Sequence, residues 1–157
     1  MKLFFANILL ALVWASMTGE MSLANLLVGA VIGYLVLLIL RPILGPSDYF
    51  RKLPQTIVFT GYFIREMLLS SLRVGYDVIT PTHYSKPGII AIPLDARTDI
   101  EITLLANLIS LTPGTLSLDL SPDRSKLYIH AMFAADPDRL RADIKATLEK
   151  PLLDLMR

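Results

Sequence analysis

Two apolar runs, Leu3–Met17 and Met21–Leu40, are separated only by Thr18-Gly19-Glu20. Twenty residues make roughly 30 Å of α-helix, the thickness of a hydrocarbon core, so the second run is long enough to span a bilayer. The first has 15 residues and needs Lys2 and Thr18, or a locally thinned bilayer, to do the same. A three-residue link permits only a tight turn, so the expected arrangement is an antiparallel membrane hairpin over residues 1–41. Between Lys2 and Arg41 the only charge is Glu20. Two other readings fit the same runs. Lys2, the apolar stretch and Ala15-Ser16 have the shape of a cleavable secretory signal, but a second apolar run follows at once. Both runs could also be buried helices of a soluble protein, but 157 residues are too few to cover two helices that are apolar all round.

Basic residues orient the hairpin. Lys2 lies at one end and Arg41, Arg51 and Lys52 follow the other, while the intervening turn carries only Glu20. The positive-inside rule therefore puts both ends in the cytoplasm. Within the runs, Asn7, Ala11 and Ala15 recur at four-residue spacing, as do Asn25, Gly29 and Gly33. Small residues at that spacing let helices approach closely, and an amide on the same stripe can bond to a neighbour. The stripes suit packing within the hairpin or against helices of a partner. No Asp, Glu, Lys, Arg or His lies inside either run, and ion or proton relays through a membrane generally need such groups.

Pro42, Pro46 and Pro54 punctuate the next stretch, so 41–53 reads as a loop. From Gln55 to about Ile79 a helical period returns. Glu66, Ser70, Arg73 and Asp77 form one polar stripe on a helix otherwise covered by residues such as Ile57, Phe63, Leu68 and Leu72. The pattern fits a helix lying at the membrane interface or against partner helices, with a third span as the alternative. Residues 42–82 are accordingly read as a loop and an interfacial helix.

Residues 83–157 read as a small cytoplasmic α+β domain of order β-α-β-β-α. Gly88–Leu94 is β-like, with Pro93 suited to an edge strand. Thr98-Asp99-Ile100-Glu101 is a capping-box signature for a helix running to about Leu111. Pro113 cannot continue that helix, and Gly114 permits the reversal. Thr115–Leu120 then alternates, with Leu116, Leu118 and Leu120 expected inward, and Lys126–Met132 alternates with Leu127, Ile129 and Ala131 inward. Pairing those faces places Asp119 opposite Lys126 across a Ser121–Arg124 turn. Asp136-Pro137 supplies the start of a last helix.

Catalytic chemistry finds no foothold. The chain lacks cysteine, which excludes disulfides, thiolate metal sites and cysteine nucleophiles. A net charge of +1 gives no reason to expect nucleic acid. His130 and Asp119 fall four residues apart in the expected register, too far for an acid–base pair, and His83 is the only other histidine. No catalytic residue, cofactor or metal site is expected.

The run LLANLISLTPGTLSLDLSPDRSKLYIHAM, residues 104–132, resembles the hallmark region of the E-type subunits of the Mrp/Mnh-type multisubunit sodium/proton antiporters. Asn107, Leu111, Thr112, Pro113, Gly114, Thr115, Asp119, Leu127, Tyr128 and His130 carry that resemblance. It implies a non-enzymatic subunit of a cation/proton antiporter in the cell membrane. Its partners would be the other subunits and the lipid bilayer, with the ion-translocating groups elsewhere in the complex. The resemblance leaves the choice between sodium and potassium open. Asn107 and Thr112–Thr115 are expected to form a structural corner, and the two small-residue stripes to serve assembly. The rival reading is a free-standing membrane-anchored binding domain.

Overall fold

The structure, a computed structural model, describes residues 2–81 and 85–157. The chain divides into two compact units, Met1–Gln55 and Thr56–Arg157. His83 lies outside the described residues.

The first unit holds α1 (Lys2–Thr18), α2 (Leu23–Ile39), a single turn α3 (Arg41–Leu44) and the start of α4 (Tyr49–Ile79). Gly19, at φ +73°, takes the chain out of α1, and Ser22 caps α2 by accepting from Asn25 N–H. These two signals trim the apolar runs to helices of 17 residues each, roughly 25 Å long. Among the described residues no helix is long and apolar enough to cross a membrane. The expectation of a loop over 41–53 is corrected. Pro42 sits in the first turn of α3, and Gly45 (φ +79°) closes that turn. Pro54 is the sixth residue of α4, where it removes one backbone bond without ending the helix. Ser47 Oγ accepts from Tyr49 N–H, and Asp48 C=O accepts from Arg51 and Lys52, which starts α4 six residues earlier than the sequence suggested.

The second unit holds the rest of α4, then β1 (Gly88–Pro93), α5 (Asp99–Leu111), β2 (Thr115–Leu120), β3 (Lys126–Ala131), α6 (Pro137–Ile144) and α7 (Lys150–Met156). A π-helical turn over Lys145–Glu149 joins α6 to α7. The sheet is antiparallel, of order β1-β3-β2, with β1 at an edge as Pro93 requires. Ile90, Ile92, Leu127 and Ile129 meet Leu105, Ile109, Ile144, Leu148 and Leu152 in one core, with Phe59 and Phe63 of α4 packed against it.

The register of β2 differs from expectation. Leu116 faces His130 and Ser117 faces Ile129, but after a bulge Asp119 faces Tyr128, so it does not meet Lys126. Leu116 and Leu118 are about half exposed, and Thr115 and Ser117 turn toward α5 in their place. The cause is hydrogen bonding. Ser117 Oγ donates to Ala106 C=O at 2.9 Å and its N–H donates to Ser110 Oγ at 3.1 Å. Hydroxyls can satisfy helix groups that leucine would leave unpaired.

Candidate functional site

In the first unit, α1 and α2 run in opposite directions along a shared seam. Asn7, Ala11 and Ala15 are buried on α1, and Gly29, Gly33 and Leu37 on α2. A Cβ on Gly29 would stand 3.0 Å from the Ala11 backbone, and one on Gly33 would collide with Asn7 Oδ1. Both stripes predicted from four-residue spacing thus face each other. The two asparagines do not pair. Asn7 Nδ2 donates to Tyr49 Oη at 2.6 Å, fastening α1 to the start of α4. Asn25 Oδ1 accepts from Trp14 Nε1 at 3.0 Å, while its Nδ2 donates to Thr18 Oγ1 and Glu20 C=O. The far side of the pair is apolar: Phe5, Leu9, Met17, Leu23, Leu27 and Ile39 are all at least 60% exposed.

In the second unit, the Thr-Pro-Gly-Thr corner is a closed hydrogen-bonded knot. Thr112 and Thr115 hydroxyls lie 2.6 Å apart and each lies 2.6 Å from Ile109 C=O, so one donates to that carbonyl and the other to its neighbouring hydroxyl. Gly114 adopts φ +90°, a region that L side chains rarely enter, and its C=O accepts from Met132 N–H at 2.8 Å. Asn107 stays outside this knot, exposed on α5 beside a shallow groove with Ser110, Ser117 and Asp119.

One side of the corner opens on a cavity of about 320 Å³. Glu66, Ser70 and Arg73 of α4 line it together with Thr112–Thr115, Phe133, Asp143 and Thr147. Arg73 lays its guanidinium over the Phe133 ring at 5.9 Å. The polar stripe of α4 therefore looks onto the α+β fold, and Ile57, Leu68 and Leu72 point away from it, each more than half exposed. The sequence marked both features, but not that they share a cavity. Only the fold brings residue 66 to residue 112.

Two carboxylates hold the segment between β1 and α5. Glu149 Oε1 accepts from Asp95 and Ala96 N–H at 2.6 and 3.0 Å, and Lys145 Nζ lies 3.0 Å from its other oxygen. Glu101 closes the capping box onto Arg97 and Thr98 N–H and takes Arg157 Nε at 3.1 Å. The Arg157 guanidinium, then those two amides, hold Glu101 down to about 2. Lys145 is raised: desolvation opposes its charge, but its bonds to Asp95 and Glu149 prevail.

With this geometry in hand, comparison with known proteins is decisive. Residues 7–155 match the model of the family described as Na+/H+ ion antiporter subunit. The chain belongs to that family. The E-type subunit of the Na+/H+ antiporter of Alkalihalophilus pseudofirmus is 35% identical over 96% of each chain. Its namesake from Bacillus subtilis is 36% identical, again over 96% of each. Among solved structures, a chain of the Mrp complex from a Dietzia species is 30% identical with a TM-score of 0.50, over 65% of this chain and 96% of its own. A chain of the membrane-bound sulfane sulfur reductase, an archaeal respiratory membrane complex, has a TM-score of 0.59 at 25% identity over 98% of both.

As a member of this antiporter-subunit family, the chain presents closely packed helix seams and hydrogen-bonded corners. Among the described residues no group of three His, Asp or Glu is placed to hold a metal ion. His130 sits opposite Ile89 and Leu116, and the Asp119 carboxylate accepts from Leu120 N–H, so the two do not join.

Proposed function

We propose that this chain is an accessory subunit of a multisubunit Na+/H+ antiporter that supports assembly and stability and leaves ion passage to other subunits. The observation that carries the reading is the inside-out character of α1 and α2. Amides, alanines and glycines fill their seam, and large apolar side chains cover the outside. Water would not tolerate that surface, whereas lipid or partner helices would. At roughly 25 Å the pair matches a slightly thinned bilayer, with exposed Leu40, Ile43 and Leu44 extending the apolar length beyond α2.

In this reading α1 and α2 form a two-span hairpin in the cell membrane. Lys2 and the Arg41, Arg51 and Lys52 group share the cytoplasmic side, and the α+β unit is cytoplasmic. The interior of the hairpin carries no Asp, Glu, Lys, Arg or His, the side chains that relays for protons or cations generally need. A similar chain occurs in a complex named for sulfane sulfur reduction, which fits a building part that is not tied to one reaction. The test is purification of the tagged chain from its native membrane, with mass spectrometry of what accompanies it and antiport assayed in inverted vesicles per intact complex. Recovery of larger antiporter subunits, with His130→Ala and Asp119→Asn leaving activity per complex unchanged, is expected. A stable, monodisperse chain recovered without partners would favour the free-standing binding domain.

A further inference from the structure

The short segment after α2 makes a site of its own. Gly45 (φ +79°) reverses the chain between α3 and α4, so that Arg41, Pro46, Ser47, Asp48 and Arg51 surround one surface notch of about 380 Å³. Two arginines and one carboxylate line it, leaving net positive charge. Asp48 and Arg51 pair at 3.3 Å, with both side chains more than half exposed. Arg41 has no carboxylate: its guanidinium lies over the Phe50 ring at 5.8 Å, and among the described residues it makes no ion pair. Phe50 is itself buried and packed against Tyr34 and Tyr49, so the ring is a fixed platform. A guanidinium held by its face keeps its N–H edge for an acceptor, and phosphate is the acceptor that the planar fork suits best. In α3, between Arg41 and Pro46 in the chain, Ile43 is 83% exposed and Leu44 45%.

We propose that this notch binds the phosphate of an anionic phospholipid headgroup, with Arg41 as the primary contact, Arg51 and the Ser47 hydroxyl as seconds, and Ile43 and Leu44 against the acyl chains. The proposal rests on the membrane placement argued above. A lipid is favoured over a free anion because the apolar residues adjoin the cationic ones at the end of the apolar helix pair. Asp48 is the resident competitor. Its carboxylate already neutralises Arg51, so a bound phosphate must share that arginine or displace Asp48.

The test uses the full chain in detergent, with native mass spectrometry in mixed micelles holding equal phosphatidylglycerol and phosphatidylcholine. Each arginine near an anionic surface is worth about a fivefold preference. Phosphatidylglycerol should therefore be retained over phosphatidylcholine, and Arg41→Gln should lower that ratio about fivefold. Asp48→Asn should raise the ratio, an effect that a structural role for Asp48 would not produce. Arg65→Gln, a control at an exposed arginine paired with Glu66, should leave the ratio unchanged. No preference in the wild-type chain, or equal loss in the Arg41 and Arg65 variants, overturns the proposal. Displacement of the lipid by millimolar inorganic phosphate overturns the lipid assignment. The membrane reading is tested separately, by whether the chain enters vesicles of phosphatidylcholine alone. It falls if the chain stays in solution, whatever the headgroup ratio in micelles shows.

Discussion

A Cβ built on Gly33 would collide with Asn7 Oδ1 and crowd Leu10 Cβ at 3.1 Å. The same asparagine donates to Tyr49 Oη, so a methyl group at residue 33 strikes both the α1–α2 seam and the tie to α4. Gly33→Ala should destabilise the helix pair by about 1–3 kcal/mol, the usual range for overpacking. Asn7→Ala should relieve part of that loss, so the double variant is more stable than the sum of the singles implies. Thermal unfolding of the full chain in detergent measures the coupling, and simple additivity would mean that the two residues do not meet. Gly114 makes a second case, governed by backbone. At φ +90°, with Val74 Cγ2 3.3 Å from a hypothetical Cβ, Gly114→Val should cost roughly 1–3 kcal/mol. Gly61 is the contrast: it lies in α4 with open space around it, so Gly61→Ala should be neutral or stabilising by up to about 1 kcal/mol. If both variants lose stability equally, φ at Gly114 is not what matters.

Among the elements, α5 shows what local sequence could reveal. Thr98 and Glu101 announced the capping box because its partners lie three residues apart, and the bonds are present at both ends. The links to Arg157 and from Glu149 to Asp95 span more than fifty residues, and no local pattern carries them. The strand β2 failed for a different reason. Reading alternation assumes that apolar residues face inward, but this chain carries apolar outer surfaces throughout. Leu116 and Leu118 therefore gave no reliable sign of the inner face, and the hydroxyls of Thr115 and Ser117 decided it. The start of α4 was missed because three prolines were weighed as breakers, though two of them occupy tolerated early-turn positions or a loop. The carboxylate clasp has its own prediction. Glu101 sits at about 2 in the fold against an ordinary 4.5, so its contribution is complete above about 4.5 and fades as pH falls toward 2. Unfolding midpoints should be insensitive to this group from pH 6 to 8 and fall between about 4.5 and 2. Glu101→Gln should flatten that acid limb while lowering stability at neutral pH. An acid limb unchanged in the variant would assign it to other carboxylates.

For the whole molecule, the proposed membrane placement leaves a choice between two spans and three, and the contacts of α4 favour two. Residues 56–79 are long enough to attract a third-span reading, but one face of the helix is already occupied. Phe59 and Phe63 pack against the core of the α+β unit, Val74 reaches Gly114, and Asp77 is buried with its carboxylate accepting from Ser85 N–H at 3.1 Å. A helix crossing a bilayer would have to give up those contacts and carry Arg65, Glu66 and Arg73 into hydrocarbon. A helix lying along the interface keeps them all, with Ile57, Leu68, Leu72 and Ile79 turned outward. The chain has no cysteine, so single cysteines can report topology against a silent background. Glu20→Cys, between α1 and α2, should react with a membrane-impermeant maleimide added to intact cells. Thr103→Cys, exposed on α5, should react only after the membrane is opened. Under three spans the α+β unit lies outside, and Thr103→Cys would label in intact cells as readily as Glu20→Cys. Labelling of both from outside would therefore remove the two-span topology and, with it, the cytoplasmic placement of the α+β unit.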